Sequence, residues 1–198
     1  ALVRPWLEHA SVPDEPTLAQ LLANALMLQD IVGEDALSAG VWYVAIDLQL
    51  FVLTALLLAG VRALPGLAPR QSAALLQALV VAGTAASLWG FNRLPALDMW
   101  APYFFGAYGM GLLACWAVQS RRPALWALLL LVLGAVALGL EWRPRVALAC
   151  AVALGLVGVL RLPGALPGAR AQPWLQPLQA LGRMAYSVFL LHFSVCLL

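Results

Sequence analysis

The sequence predicts an all-α, polytopic bundle of about six membrane-spanning helices, with one short helix that lies in the membrane interface or dips in and returns. Three observations predict it. The 198 residues are 64% hydrophobic and only 10% charged, with a mean hydropathy of +0.90, whereas a soluble domain averages about 45–50% apolar and about 25% charged. The apolar residues gather into runs long enough to cross a hydrocarbon core of about 30 Å. Short polar turns bearing Pro or Gly separate most of these runs, as expected of close helical neighbours.

Residues 1–16 are mixed, acidic and Pro-bearing, without the pattern of a signal peptide. Residues 18–29 are apolar but number only 12, too few to cross. The first span covers residues 41–61, a run of 21 that would be about 31 Å long as a helix. Residues 72–90, 102–119, 124–140, 144–160 and 181–198 complete the set. The fifth of the six opens on Arg145, whose long side chain can snorkel to the interface. Residues 161–180, rich in Pro and Gly, read as the longest connection. The expected organisation is thus an outer-side segment, 1–40, followed by a six-helix bundle, 41–198.

Arginine sets the sidedness, since the eleven basic residues are all Arg. With residue 41 outside, the inner loops hold Arg62, Arg70, Arg121, Arg122, Arg161 and Arg170, with Arg183 just beyond, and no acid. The outer loops hold Arg93 with Asp98, and Glu141 with Arg143 and Arg145. This is a positive-inside distribution. Every acid except Asp47 falls outside, which keeps the 18–29 helix at the outer surface. Scattered arginines with a net charge of +2 do not point to nucleic acid. Cys115, Cys150 and Cys196, each in an apolar run at wide spacing, imply neither a disulfide framework nor a metal cluster. No phosphate loop, dinucleotide fingerprint, zinc spacing or serine nucleophile elbow is present.

Asp47 is the single charge inside the 41–61 run. A carboxylate near the centre of a span costs about 2.5–3.5 kcal/mol even on lenient insertion scales. Such an acid is a functional candidate by default, with a hydrogen bond to a neighbouring helix as the structural alternative. Asp47 lies about 9 Å below the outer end of its helix, and His192 about 16 Å above the inner end of the last. Measured from one face of a span about 31 Å long, their depths differ by about 6 Å, within reach of a water or a third side chain, and Gln49 and Tyr186 are candidates for it.

Three stretches resemble one family. Trp42-Tyr-Val-Ala-Ile-Asp47-Leu-Gln49-Leu-Phe51, preceded by a short apolar segment (21–29) and an acidic loop, is similar to the membrane-bound acyltransferase family 3 signature Trp-x-Leu-x-x-Glu-x-Gln-Phe-Tyr. Leu181-Gly182-Arg-Met-Ala-Tyr186-Ser187-Val-Phe-Leu-Leu-His192 resembles its late-helix motif Leu-Gly-x-x-Ser-Tyr-Ser-x-Tyr-Leu-x-His. Residues 103–116 resemble its Gly-rich middle helix more loosely. Asp47 stands where the family has Glu, and Ala185 where it has Ser. The family's first helices, with its catalytic His and an Arg-rich inner motif, have no counterpart in residues 1–40.

The resemblance implies the C-terminal portion of an O-acyltransferase of a bacterial inner membrane. It would move an acyl group, acetyl by expectation, from acyl-CoA to a cell-envelope glycan, with no bound cofactor or metal. The expected partners are membrane lipids, the glycan acceptor and acyl-CoA, with no nucleic acid. Acyl transfer needs a base for the sugar hydroxyl and a donor for the developing oxyanion. Asp47 and His192 are expected to support or orient these groups, and Trp42, Gln49 and Tyr186 to line the substrate site. The isolated chain is expected to be inactive without the preceding helices. Two rival readings are a small transporter or proton/solute channel built on Asp47 and His192, and a non-catalytic bundle that packs against a partner.

Overall fold

The structure, a computed structural model, describes residues 16–37, 41–161, 180 and 184. The described residues form seven α-helices and two single 3₁₀ turns, with no strand. The helices are α1 (Leu18–Ala25), α2 (Gln29–Val32), α3 (Val41–Ala63), α4 (Pro69–Trp89), α5 (Ala101–Gln119), α6 (Pro123–Leu140) and α7 (Pro144–Arg161). Five of them, α3 to α7, are long and apolar enough to cross a membrane. The protein is therefore an integral membrane protein with an all-α fold. The sixth expected span, residues 181–198, lies outside the described residues.

Two compact units divide the chain between Leu48 and Gln49, inside α3. In the first, Thr17 caps α1 by accepting the Gln20 amide at 3.1 Å. Met27 then takes the left-handed conformation (φ 58°) and ends the helix, a costly geometry for a residue with a side chain. Gly33 (φ 76°) ends α2 in the same region, where glycine fits without strain. Asn24 folds the following loop back onto α1: its Nδ2 donates to the Asp35 carbonyl at 3.0 Å and its Oδ1 accepts from the Leu37 amide at 2.9 Å. Gln20 Nε2 adds a second bond to the Asp35 carbonyl. The eight-residue α1, about 12 Å long, cannot span. It presents Leu18, Leu22 and Leu26 as exposed apolar surface, as a helix lying in an interface does.

In the second unit α5 is central, packing against α4, α6 and α7. Its buried residues Tyr103, Gly106, Met110, Leu113 and Ala117 recur at helical spacing along one side. They meet Val80 and Leu88 of α4, Leu130, Leu133 and Ala137 of α6, and Val146, Cys150, Ala153 and Val157 of α7. Prolines at the first or second position start α4, α5, α6 and α7, where the missing N–H would lack a helical partner anyway. The α4–α5 contact is close because glycine permits it. A Cβ on Gly109 would sit 2.0 Å from Thr84 Oγ1, and one on Gly106 would sit 2.7 Å from Leu88 Cδ2. Short connections make α4 to α7 alternate in direction, so the end of α4, the start of α5, the end of α6 and the start of α7 share one end of the bundle.

Candidate functional site

Asp47 lies on α3 in an exposed stripe with Tyr43 and Phe51, one turn away on either side. Ala45, Ile46 and Leu50 form the buried side of the same helix. Among the described residues no hydrogen bond or ion pair holds the Asp47 carboxylate. Trp42 and Tyr43, both exposed, meet edge to face with centroids 5.9 Å apart.

Gln49, two residues along and about 200° around the helix from Asp47, is engaged with α5. Its Oε1 accepts from the Ala101 amide at 2.9 Å, and its Nε2 donates to the Met99 carbonyl at 3.2 Å. Ala101 opens α5 and Trp100, the N-cap residue, makes no side-chain cap bond. Gln49 therefore caps α5 from another helix, satisfying an amide that the helix itself leaves without a partner. Sequence reasoning placed Gln49 in the substrate site; here both ends of its side-chain amide are committed to backbone. Tyr186 and His192 lie outside the described residues, so the expected proximity of Asp47 and His192 does too.

A second polar constellation forms at the shared end of α4 to α7. Arg143, in the short link between α6 and α7, is 8% exposed. Its Nη2 donates to the Leu88 carbonyl at 2.7 Å, and its Nη1 donates to Asn92 Oδ1. A guanidinium on the last turn of α4 satisfies a carbonyl there and complements the negative end of the helix dipole. Its Nε is buried and has no hydrogen-bond partner among the described residues. Asn92 Nδ2 donates to the Tyr103 carbonyl at 2.8 Å, and Ser87 Oγ donates to that carbonyl at 3.2 Å while accepting from the Gly106 amide at 2.7 Å. Arg145, on the first turn of α7, donates from Nη2 to the Tyr103 hydroxyl at 2.7 Å, with its guanidinium carbon 5.3 Å from the ring centroid. Beside these groups is a cleft of about 100 Å³ lined by Leu88, Asn92, Phe104, Ala107, Arg145 and Val146.

The sequence reads Arg143 as an outer-loop charge and Arg145 as a snorkelling one, and carries no local signal for Ser87, Asn92 or Tyr103 as members of a network. Arg145 does stay exposed. Arg143 is buried instead, because the Leu88 carbonyl on the last turn of α4 and the Asn92 side-chain oxygen just beyond it accept its guanidinium. The available signal was two arginines flanking a helix-starting proline in a two-helix link too short to hold them both in water.

No family model, curated protein or solved structure matches the chain.

Proposed function

We propose that the chain is part of an integral-membrane O-acyltransferase that moves an acyl group, acetyl by expectation, from acyl-CoA to a cell-envelope glycan at a bacterial inner membrane. The observation that carries this reading is the lone carboxylate of Asp47 within span α3, inside the 42–51 stretch that resembles the acyltransferase signature. A carboxylate within a span carries an insertion cost that reaches about 2.5–3.5 kcal/mol at the centre, which favours a task for it. In acyl transfer that task is to orient a base or the sugar hydroxyl it deprotonates, with His192 as the companion group. Trp42, exposed beside Tyr43 at the start of α3, offers an aromatic face for an acceptor arriving from the outer side.

The test is the O-acyl content of the envelope glycan in cells expressing the full-length gene product at matched membrane levels. Asp47→Asn removes the charge, makes insertion easier, and is expected to lower acylation roughly tenfold to a hundredfold if it misplaces the reacting groups. Asp47→Glu restores the acid of the family signature and is expected to retain most activity. Unchanged acylation by Asp47→Asn would overturn the role given to the carboxylate.

A further inference from the structure

At the end of the bundle where α4 stops and α5 and α7 start, two arginines have no carboxylate partner among the described residues. Arg143 is buried and, among the described residues, bonded only to neutral acceptors, with its Nε left over. Arg145, two residues on, occupies the first turn of α7, where the helix dipole disfavours a cation. Of the two described acids at this end, Glu141 is taken by Arg93 at 3.3 Å and Asp98 pairs with neither Arg143 nor Arg145. Among the described residues no carboxylate pairs with Arg143 or Arg145. Two guanidinium groups without a counter-ion beside a low-dielectric bundle form a strong local attraction for an anion.

The surroundings specify what kind of anion. The cleft beside Arg145 is lined by Leu88, Phe104, Ala107 and Val146, with Arg145 and Asn92 as its polar groups, so most of its wall is apolar. Trp89, Trp100 and Trp142, all exposed, surround this end of the bundle as aromatic side chains do at headgroup level. A free inorganic anion would have no use for the apolar floor. A membrane lipid uses both parts, since its phosphate sits at the headgroup level and its chain runs alongside the helices.

We propose that the cleft between α4, α5 and α7 is a binding site for an anionic phospholipid, whose phosphate is held by Arg145 and whose acyl chain lies against Leu88, Phe104, Ala107 and Val146. Arg145 is already oriented by the Tyr103 hydroxyl and ring, and its Nε and Nη1 make no hydrogen bond with a described residue. A planar guanidinium presenting two donors on one edge matches a phosphate in a two-point contact. Asn92 retains a second Nδ2 hydrogen beyond the one given to Tyr103. Arg143 adds charge from behind without needing to touch the lipid. The site stands independently of acyl transfer.

Native mass spectrometry of the full-length protein, released from nanodiscs of phosphatidylcholine doped with phosphatidylglycerol, tests this directly. The wild type is expected to retain phosphatidylglycerol over phosphatidylcholine by about tenfold, equivalent to a modest difference in affinity. Arg145→Gln removes the phosphate contact, and Ala107→Leu fills the apolar floor while leaving both arginines in place. Both positions are exposed, so neither change disturbs the packed core. Each variant is expected to lose the preference, Arg145→Gln by removing charge and Ala107→Leu by excluding the chain. Equal retention of the two lipids by the wild type would overturn the proposal. So would unchanged selectivity in Ala107→Leu, or displacement of phosphatidylglycerol by millimolar inorganic phosphate, because either result makes the site one for a soluble anion.

Discussion

Gln49 shows how a residue chosen for chemistry can be occupied by structure. Its pattern in the sequence, Asp47-x-Gln49 in an apolar helix, marks it as polar and therefore worth explaining, but not which groups it satisfies. The groups are the Met99 carbonyl and the Ala101 amide, 50 and 52 residues away. Gln49→Leu strands the buried Ala101 amide and is expected to destabilise the protein by about 1–3 kcal/mol. Gln49→Glu keeps the acceptor and places a negative charge at the start of α5, where the helix dipole favours it, so it should cost less than the leucine. Thermal unfolding in one detergent ranks the two; a leucine variant as stable as the wild type would remove the capping role. Arg143 teaches the same lesson from the basic side. Its two neutral acceptors lie at Leu88 and Asn92, and a lysine, a point charge on a flexible stem, cannot fork between them. Arg143→Lys is therefore expected to destabilise by about 1–3 kcal/mol despite conserving charge, and an unfolding midpoint equal to wild type would refute that.

At the scale of elements, hydropathy and proline placement read almost directly. The runs 41–61, 72–90, 102–119, 124–140 and 144–160 return as α3 to α7 with ends shifted by at most three residues, because apolar length is what a membrane selects and Pro starts α4 to α7. The 18–29 segment was legible as too short, but its break was not. Met27 carries no turn signature, and its left-handed φ follows from Asn24 and Gln20 drawing the next loop back onto α1. The polar network of Ser87, Asn92, Tyr103, Arg143 and Arg145 was not legible either, since its members come from three helices and two loops with no local period. Glycines in α5 looked alike in the sequence, each a small residue for close packing. The structure separates them: Gly109 faces Thr84, whose Oγ1 is fixed by a 2.7 Å bond to the Val80 carbonyl, while a Cβ on Gly111 meets nothing within 4 Å. Gly109→Ala is accordingly expected to cost about 1–3 kcal/mol through overpacking, and Gly111→Ala to gain up to about 1 kcal/mol through helix propensity. Chemical or thermal unfolding of the pair settles this, and a neutral Gly109→Ala would mean that α4 and α5 separate at little cost.

At the scale of the whole molecule the remaining expectation is orientation, and it rests on where arginines fall between helices now fixed in place. The α3–α4 connection is flanked by Arg62 in the last turn of α3 and Arg70 in the first turn of α4, and the α5–α6 connection holds Arg121 and Arg122, without an acid in either. At the other end the Arg93–Glu141 pair and the bonded Arg143 and Arg145 leave fewer arginines free to act as topology signals. The positive-inside rule therefore puts the α3–α4 and α5–α6 connections in the cytoplasm and α1 with its acidic loop outside. Reporter fusions after Arg70 and Arg122 are expected to score as cytoplasmic, and fusions within residues 30–35 as external. This outcome also decides which leaflet supplies the lipid at Arg145, because that cleft lies at the same end as the α4–α5 connection. A cytoplasmic score for residues 30–35 would invert every loop at once, move Asp47 toward the acyl-CoA side, and turn the Arg145 cleft toward the inner leaflet.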